Sequence, residues 1–124
     1  MKSGHEGGRK ARFYVARETY LAAWRWRREV EIGVRPLGLT FTQWFVLDAT
    51  ARALNAEKDA VSQNQVADCT ELDRKTISQV MQALDELGLV SRAPDYTGRA
   101  YRIFLTPKGT RLVQQANARV EALP

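Results

Sequence analysis

The chain has 124 residues, 44% hydrophobic and 27% charged, which suffices for one domain with a real core but not for two independent ones. No apolar run approaches twenty residues, no secretory segment opens the chain, and a single cysteine excludes an internal disulfide; the expectation is a cytoplasmic protein with no membrane span. A net charge of +5 favours a polyanionic partner.

Residues 1–8 hold three glycines and the only histidine, His5, with no apolar residue after Met1. They predict a disordered tail, and a lone histidine without neighbouring ligands predicts no metal site. Residues 9–124 read as one domain. From Arg9 to about Val34 the pattern predicts one long helix. Phe13, Ala16, Tyr20, Ala23 and Trp24 form a stripe that Tyr14, Leu21 and Trp26 widen beyond a single face, so this helix packs against more than one partner. Arg35-Pro36-Leu37-Gly38 breaks it. Thr40-Phe-Thr-Gln43 has capping-box spacing and opens a support helix running to about Leu54; 55–60 is a polar connection.

Ser62-Gln-Asn-Gln65 is a second capping box and starts a short helix to about Cys69. Thr70-Glu-Leu-Asp73 is a turn of helix-turn-helix length. Asp73 then caps a helix in which Ile77, Val80, Met81, Leu84 and Leu87 make a core stripe, and Gly88 can take the left-handed conformation past its end. Leu89–Ala93 and Tyr101–Leu105 read as strands around a Pro94-Asp-Tyr-Thr-Gly-Arg99 tip. Thr106-Pro107 opens a final helix reaching Leu123, along which Val113, Ala116, Val120 and Leu123 form a stripe. Helix, turn, helix and hairpin in that order predict a mostly α winged helix-turn-helix with a small β-hairpin wing, an α+β arrangement.

The chemistry of the second helix-turn-helix helix points to DNA. Opposite its core stripe lie Lys75, Ser78, Gln79 and Gln82, with Arg74 and Thr76 in the first turn and no acid until Glu86. Such a face is commonly only solvated, but here charge is segregated. Lys and Arg number nine against four acids in residues 1–36, two against six in 37–73, and eight against four in 74–124. A basic recognition element and wing beside an acidic support suit an oriented duplex footprint. Enzyme readings find no support: there is no phosphate loop, no paired metal ligands, no nucleophile elbow and no histidine outside the tail. Asp48, Asp59, Asp68 and Glu71 read as caps rather than catalytic acids. Cys69 has acidic sequence neighbours, which do not lower a thiol pKa, and reads as a semi-buried filler.

Gly38-Leu-Thr40, Ser62-Gln-Asn-Gln-Val-Ala67, Leu72-Asp-Arg-Lys-Thr-Ile77, Leu84-Asp-Glu-Leu-Gly-Leu-Val90, Gly98-Arg-Ala100 and Leu105-Thr-Pro-Lys-Gly109, in this order, resemble the signature segments of the MarR family of winged-helix transcriptional regulators. The resemblance covers about residues 37–112. It implies a homodimer on double-stranded DNA, with 9–34 and 106–123 as dimerisation helices and 40–105 as the DNA-binding lobe. The DNA-contacting candidates are then Arg74, Lys75, Thr76, Ser78, Gln79 and Gln82 on the recognition helix, with Arg99 and Arg102 on the wing. It also implies a repressor or activator, often relieved by a small aromatic ligand, for which Tyr20, Trp24, Trp44 and Phe45 are candidates with Arg17 or Arg25 as a cation; the same aromatics are equally core residues. No cofactor is implied. The chain departs from the family pattern at Thr70 and Glu71, where Leu and Gly are usual, at Thr97, where Asp is usual, and in ending about one helix early. These departures keep a second reading open, a winged-helix adaptor without specific DNA binding.

Overall fold

Four short polar side chains, Thr40, Ser62, Asp73 and Thr106, mark where four of the helices begin. The Thr40 and Ser62 hydroxyls accept from the backbone N–H of Gln43 (3.2 Å) and Gln65 (3.0 Å), and each Gln side chain accepts in return from the capping residue's own N–H. Asp73 accepts from Thr76 N–H at 2.7 Å and Thr106 from Gly109 N–H at 3.0 Å. These bonds satisfy donors that a helix N-terminus otherwise leaves open.

The computed structural model describes residues 2–57, 60–98 and 100–124, with side chains from Glu6 onward except at 57. The His5 side chain, Asp59 and Arg99 lie outside the described residues. The described elements are α1 (Lys2–Val34), a 3-10 turn (Arg35–Leu37), α2 (Phe41–Glu57), β1 (Val61–Ser62), α3 (Gln63–Thr70), α4 (Arg74–Glu86), β2 (Val90–Pro94), β3 (Tyr101–Leu105) and α5 (Pro107–Glu121). Helix α1 begins at Lys2, so residues 2–8 continue it rather than forming a tail. Once a helix is nucleated each added residue gains one hydrogen bond, and no proline interrupts this segment. Helix α2 likewise runs three residues past Leu54. The sheet has order β1-β3-β2 and is antiparallel throughout, with Val61 opposite Ile103 and Val90 opposite Leu105. Strand β1, two residues long, carries too little pattern to be read from sequence.

One core joins all layers: Val30 and Val34 of α1, Val46 and Leu47 of α2, Val66 of α3, Ile77, Met81 and Leu84 of α4, Ile103 of β3, and Val113 and Ala116 of α5. Two expectations change here. The α1 stripe Phe13, Tyr14 and Tyr20 is uncovered, each 64–69% exposed, with Trp24 at 48%; the helix buries only Val30 and Val34, near its C-terminal end, and sets the Trp26 ring edge-on against the core residues Phe41 and Trp44. Conversely, the α5 stripe of Val113, Ala116, Val120 and Leu123 faces its own core, because α5 packs on α2 and α1. It is therefore spent within the monomer.

Helix α5 is seated on the end of α4. Thr106 Oγ1 donates to Gly88 O (2.6 Å), Thr106 N to Leu89 O (3.1 Å) and Lys108 Nζ to Leu87 O (2.8 Å). These carbonyls lie just past the C-terminus of α4, where a cation is also favoured by the helix dipole. A Cβ on Gly109 would lie 1.9 Å from Leu89 O, so only glycine lets the two backbones come this close.

Candidate nucleic-acid interface

Helix α4 presents two faces. Ile77, Met81 and Leu84 are buried, while Arg74, Lys75, Gln79 and Gln82 are exposed and Thr76 and Ser78 half-buried. The sequence-predicted DNA set on this helix is therefore brought together on one outward surface. Val80 is only half-buried and Leu87 is 40% exposed, so the core stripe narrows toward the C-terminus. Gln82 Nε2 donates to Glu86 Oε1 at 3.4 Å, leaving its carbonyl oxygen uncommitted in that contact. The first turn of α4 contains no acid and instead carries Arg74 and Lys75. Cations at the positive end of a helix dipole cost the helix stability and suit an incoming anion. The one carboxylate nearby, Asp73, is held below the usual carboxylate range, first by the Thr76 backbone N–H and then by the Thr76 side chain; its charge is directed into the cap.

The turn before α4 is built around Glu71, whose φ of +58° is the left-handed conformation that glycine adopts most readily. Thr70, buried, donates its hydroxyl to Val66 O at 2.8 Å and accepts from Leu72 N–H at 3.4 Å. At the two positions where this chain departs from the family pattern, Thr70 hydrogen-bonds the turn and Glu71 takes the left-handed position.

The wing is fixed to α4 by a residue that the sequence reading passed over. Arg92, on β2, has its Nε 3.4 Å from Asp85 Oδ2 of α4, and its guanidinium lies 4.7 Å from the centre of the Tyr101 ring on β3. Its side chain is only 16% exposed, so it braces rather than reaches. An inward charged residue in a short strand was the available signal, but its partner is distant in pattern. Arg102 points outward from the central strand, opposite Ser62 and Ala93, with its guanidinium 5.8 Å from the Phe104 ring centre. Asp95 at the hairpin tip accepts from the Thr97 hydroxyl and, at 2.9 Å, from Thr97 N–H. These bonds, the hydroxyl's first, hold its carboxyl below the usual range.

The four candidate ligand residues are divided between two hollows. Trp44 and Phe45 join Trp26, Arg52, Cys69 and Asn117 around a cleft of about 630 Å³ lined by α1, α2, α3 and α5. Tyr20 and Trp24 line a shallower hollow of about 440 Å³ with Trp26, Arg27, Phe41 and Phe45. Trp44 is core, at 5% exposure, yet its edge lines the larger cleft. The cations beside the aromatics are Arg52 and Arg27, not Arg17 or Arg25. Arg27 lies 4.6 Å over the Phe41 ring, whereas Arg17 pairs with Glu18 in solvent at 3.2 Å. The cleft wall is a hydrogen-bonded chain: Trp44 Nε1 donates to Asn117 Oδ1 (2.8 Å), Asn117 Nδ2 to Asp48 Oδ1 (2.9 Å), and Arg52 Nε to Asp48 Oδ2 (2.8 Å). The bond to Asp48 and its charge raise the Arg52 pKa above its ordinary value. Cys69 is exposed rather than a buried filler. Among the described residues no cluster of three or more His, Cys, Asp or Glu could hold a metal ion, and no helix is long and apolar enough to cross a membrane.

Comparison with known proteins places this geometry. Residues 37–100 match the model of the MarR family. No curated protein matches the chain in sequence. Among solved structures, a MarR-family transcriptional regulator from Rhodococcus sp. RHA1 is similar at 29% identity, over 87% of this chain and 74% of that one, with a TM-score of 0.78. CouR from Rhodococcus jostii RHA1, solved bound to p-coumaroyl-CoA, is similar at 28% identity over 87% and 72% of the two chains, with a TM-score of 0.76. The M. tuberculosis transcriptional regulator MOSR, solved in complex with DNA, is similar at 25% identity over 84% and 72%, with a TM-score of 0.68. With the family model spanning the winged-helix lobe and the fold shared with these regulators over most of both chains, the protein belongs to the MarR family of winged-helix transcriptional regulators.

Proposed function

We propose that this protein is a sequence-specific repressor that binds double-stranded DNA as a homodimer on a palindromic operator. The observation that carries this reading is the outward face of α4, where Arg74, Lys75, Gln79 and Gln82 stand exposed together above a buried apolar stripe. The amide side chains suit adenine edges in the major groove, and the two cations suit guanine or phosphate. Thr76 and Ser78 reach backbone oxygens, while Arg102 and Arg99 on the wing contact phosphate or the minor groove. MOSR, similar in fold and 25% identical, is solved with DNA, which supports the same partner here.

The dimer is supported by α1. Residues from Glu6 to Glu29 include no buried position, yet they carry Phe13, Tyr14, Tyr20 and Trp24. A helix this long with its aromatics in water is marginal unless something covers it, and a second copy related by a two-fold axis covers both at once. The larger cleft, with its aromatic wall of Trp26, Trp44 and Phe45, suits a small aromatic ligand; CouR, 28% identical, is solved bound to p-coumaroyl-CoA. No catalytic role is proposed.

Selection of bound sequences from a random duplex pool is the test. The expected result is a two-fold symmetric consensus, with affinity falling steeply as salt rises. A pool that yields no enriched sequence overturns the proposal in favour of a winged-helix adaptor.

A further inference from the structure

We propose that Tyr96 is a non-ionic DNA contact whose ring enters the minor groove at the wing tip and selects A·T over G·C there. The inference rests on the DNA-binding reading above and assigns it a further specificity-determining residue.

Tyr96 is the most solvent-exposed large side chain among the described apolar and aromatic residues, at 101%. It sits beyond the last paired residues of the hairpin, Pro94 and Tyr101, and Asp95 N–H donates to Ala100 O at 2.9 Å to close the tip. The described residues of the tip are hydrogen-bonded to one another. Gly98 N–H donates to Asp95 O at 3.0 Å, Gly98 takes a φ of +70°, and the Asp95 carboxylate accepts from both the backbone and the hydroxyl of Thr97. A side chain presented on such a turn loses little beyond its own two rotations on binding, so its contact area is used efficiently.

The other two aromatic rings of the wing, both on β3, are already engaged. Tyr101 lies against Arg92, and Phe104 lies near Arg102. Tyr96 alone of the three projects from the tip. Strand β2 runs two residues past Arg92, which is braced against Asp85 of α4, about 7 Å along the hairpin, and Tyr96 stands in the turn beyond that strand end. A wing held beside a recognition helix in the major groove directs its tip to the neighbouring minor groove. That groove is about 6 Å wide, room for a phenol edge-on, and its floor offers acceptors at A·T pairs, whereas guanine adds a protruding amino group. The phenol hydroxyl can donate to the acceptors, and the ring collides with the amino group. Apolar side chains inserted into the minor groove are a general device of proteins that bind there.

The test is Tyr96→Ala, measured by fluorescence anisotropy on the selected operator and on duplexes altered only under the wing tip. Because the side chain is fully exposed, the melting temperature should not move. Affinity should fall about tenfold, with the salt dependence unchanged because no ionic contact is lost. Placing G·C under the tip should weaken the wild type similarly, inosine·C, which lacks the amino group, should restore it, and Tyr96→Ala should be indifferent to all three. Equal affinity of variant and wild type overturns the inference, as does failure of inosine to restore binding or a loss that tracks a lowered melting temperature. A wild type with no preferred duplex instead overturns the parent reading, so the two failures are distinguishable.

Discussion

A single backbone angle separates this turn from an easier one. Glu71 at φ +58° pays for a left-handed position that glycine occupies without a Cβ clash. Glu71→Gly is expected to stabilise the fold by about 0.5–1 kcal/mol, less what glycine adds to unfolded-chain entropy, as read from urea denaturation midpoints. An unchanged or lower midpoint would show that the Glu71 backbone is not strained. Asp73 behaves oppositely with pH. Its folded pKa is lowered from 3.8 by the Thr76 N–H, so the cap contributes fully above that value and is lost as pH falls through the folded pKa. Asn also caps but does not titrate. The melting-temperature difference between wild type and Asp73→Asn should therefore shift against the wild type below about pH 4, and a difference that stays flat to lower pH excludes the charged cap.

Between elements, α4, β2 and α5 meet in close backbone contact. The carbonyls of Leu87, Gly88 and Leu89 are taken by Lys108 and Thr106, and Gly109 lies against Leu89 O. Since this junction connects the recognition helix to α5, a methyl group there must push one backbone off the other. Gly109→Ala is expected to destabilise by about 2 kcal/mol or more, within the range for overpacking a rigid site. Chemical denaturation checks the value, and a loss below a few tenths would mean that the junction yields. The clamp of Arg92 on Asp85 and Tyr101 acts at the same scale and ties the wing to the helix, whereas Arg102 is exposed.

For the whole molecule, the proposed dimer sets the geometry of recognition. Two recognition helices on a two-fold axis read half-sites about 34–36 Å apart, and the α1 surface is what remains to join them once the α5 stripe is buried in its own core. Trp24→Glu, at a position 48% exposed in the monomer, should leave the fold intact, shift sedimentation equilibrium toward monomer and cut operator affinity at least about tenfold, because each half-site is then bound alone. A wild type that sediments as a strict monomer at micromolar concentration and binds a half-site with full affinity would overturn the assembly.

Local chemistry was legible in the residues. Capping boxes at Thr40 and Ser62, the Asp73 and Thr106 caps, the left-handed Gly88 and the Ile77, Met81 and Leu84 part of the α4 stripe lie where the sequence puts them, since each depends on neighbours within four residues. The outward grouping of Arg74, Lys75, Gln79 and Gln82 follows from the same helical period. What needed the tertiary structure was every choice between alternative partners. Periodicity marks an apolar stripe but not what covers it, so Val113 and Ala116 could equally have faced a second subunit as their own core, and Phe13 and Tyr20 could equally have been buried. The two-residue strand β1, the Arg92 clamp, the Asp48–Asn117–Trp44 chain and the close approach of Gly109 to Leu89 each join residues separated along the chain. Such contacts depend on how the elements pack, which no local pattern encodes.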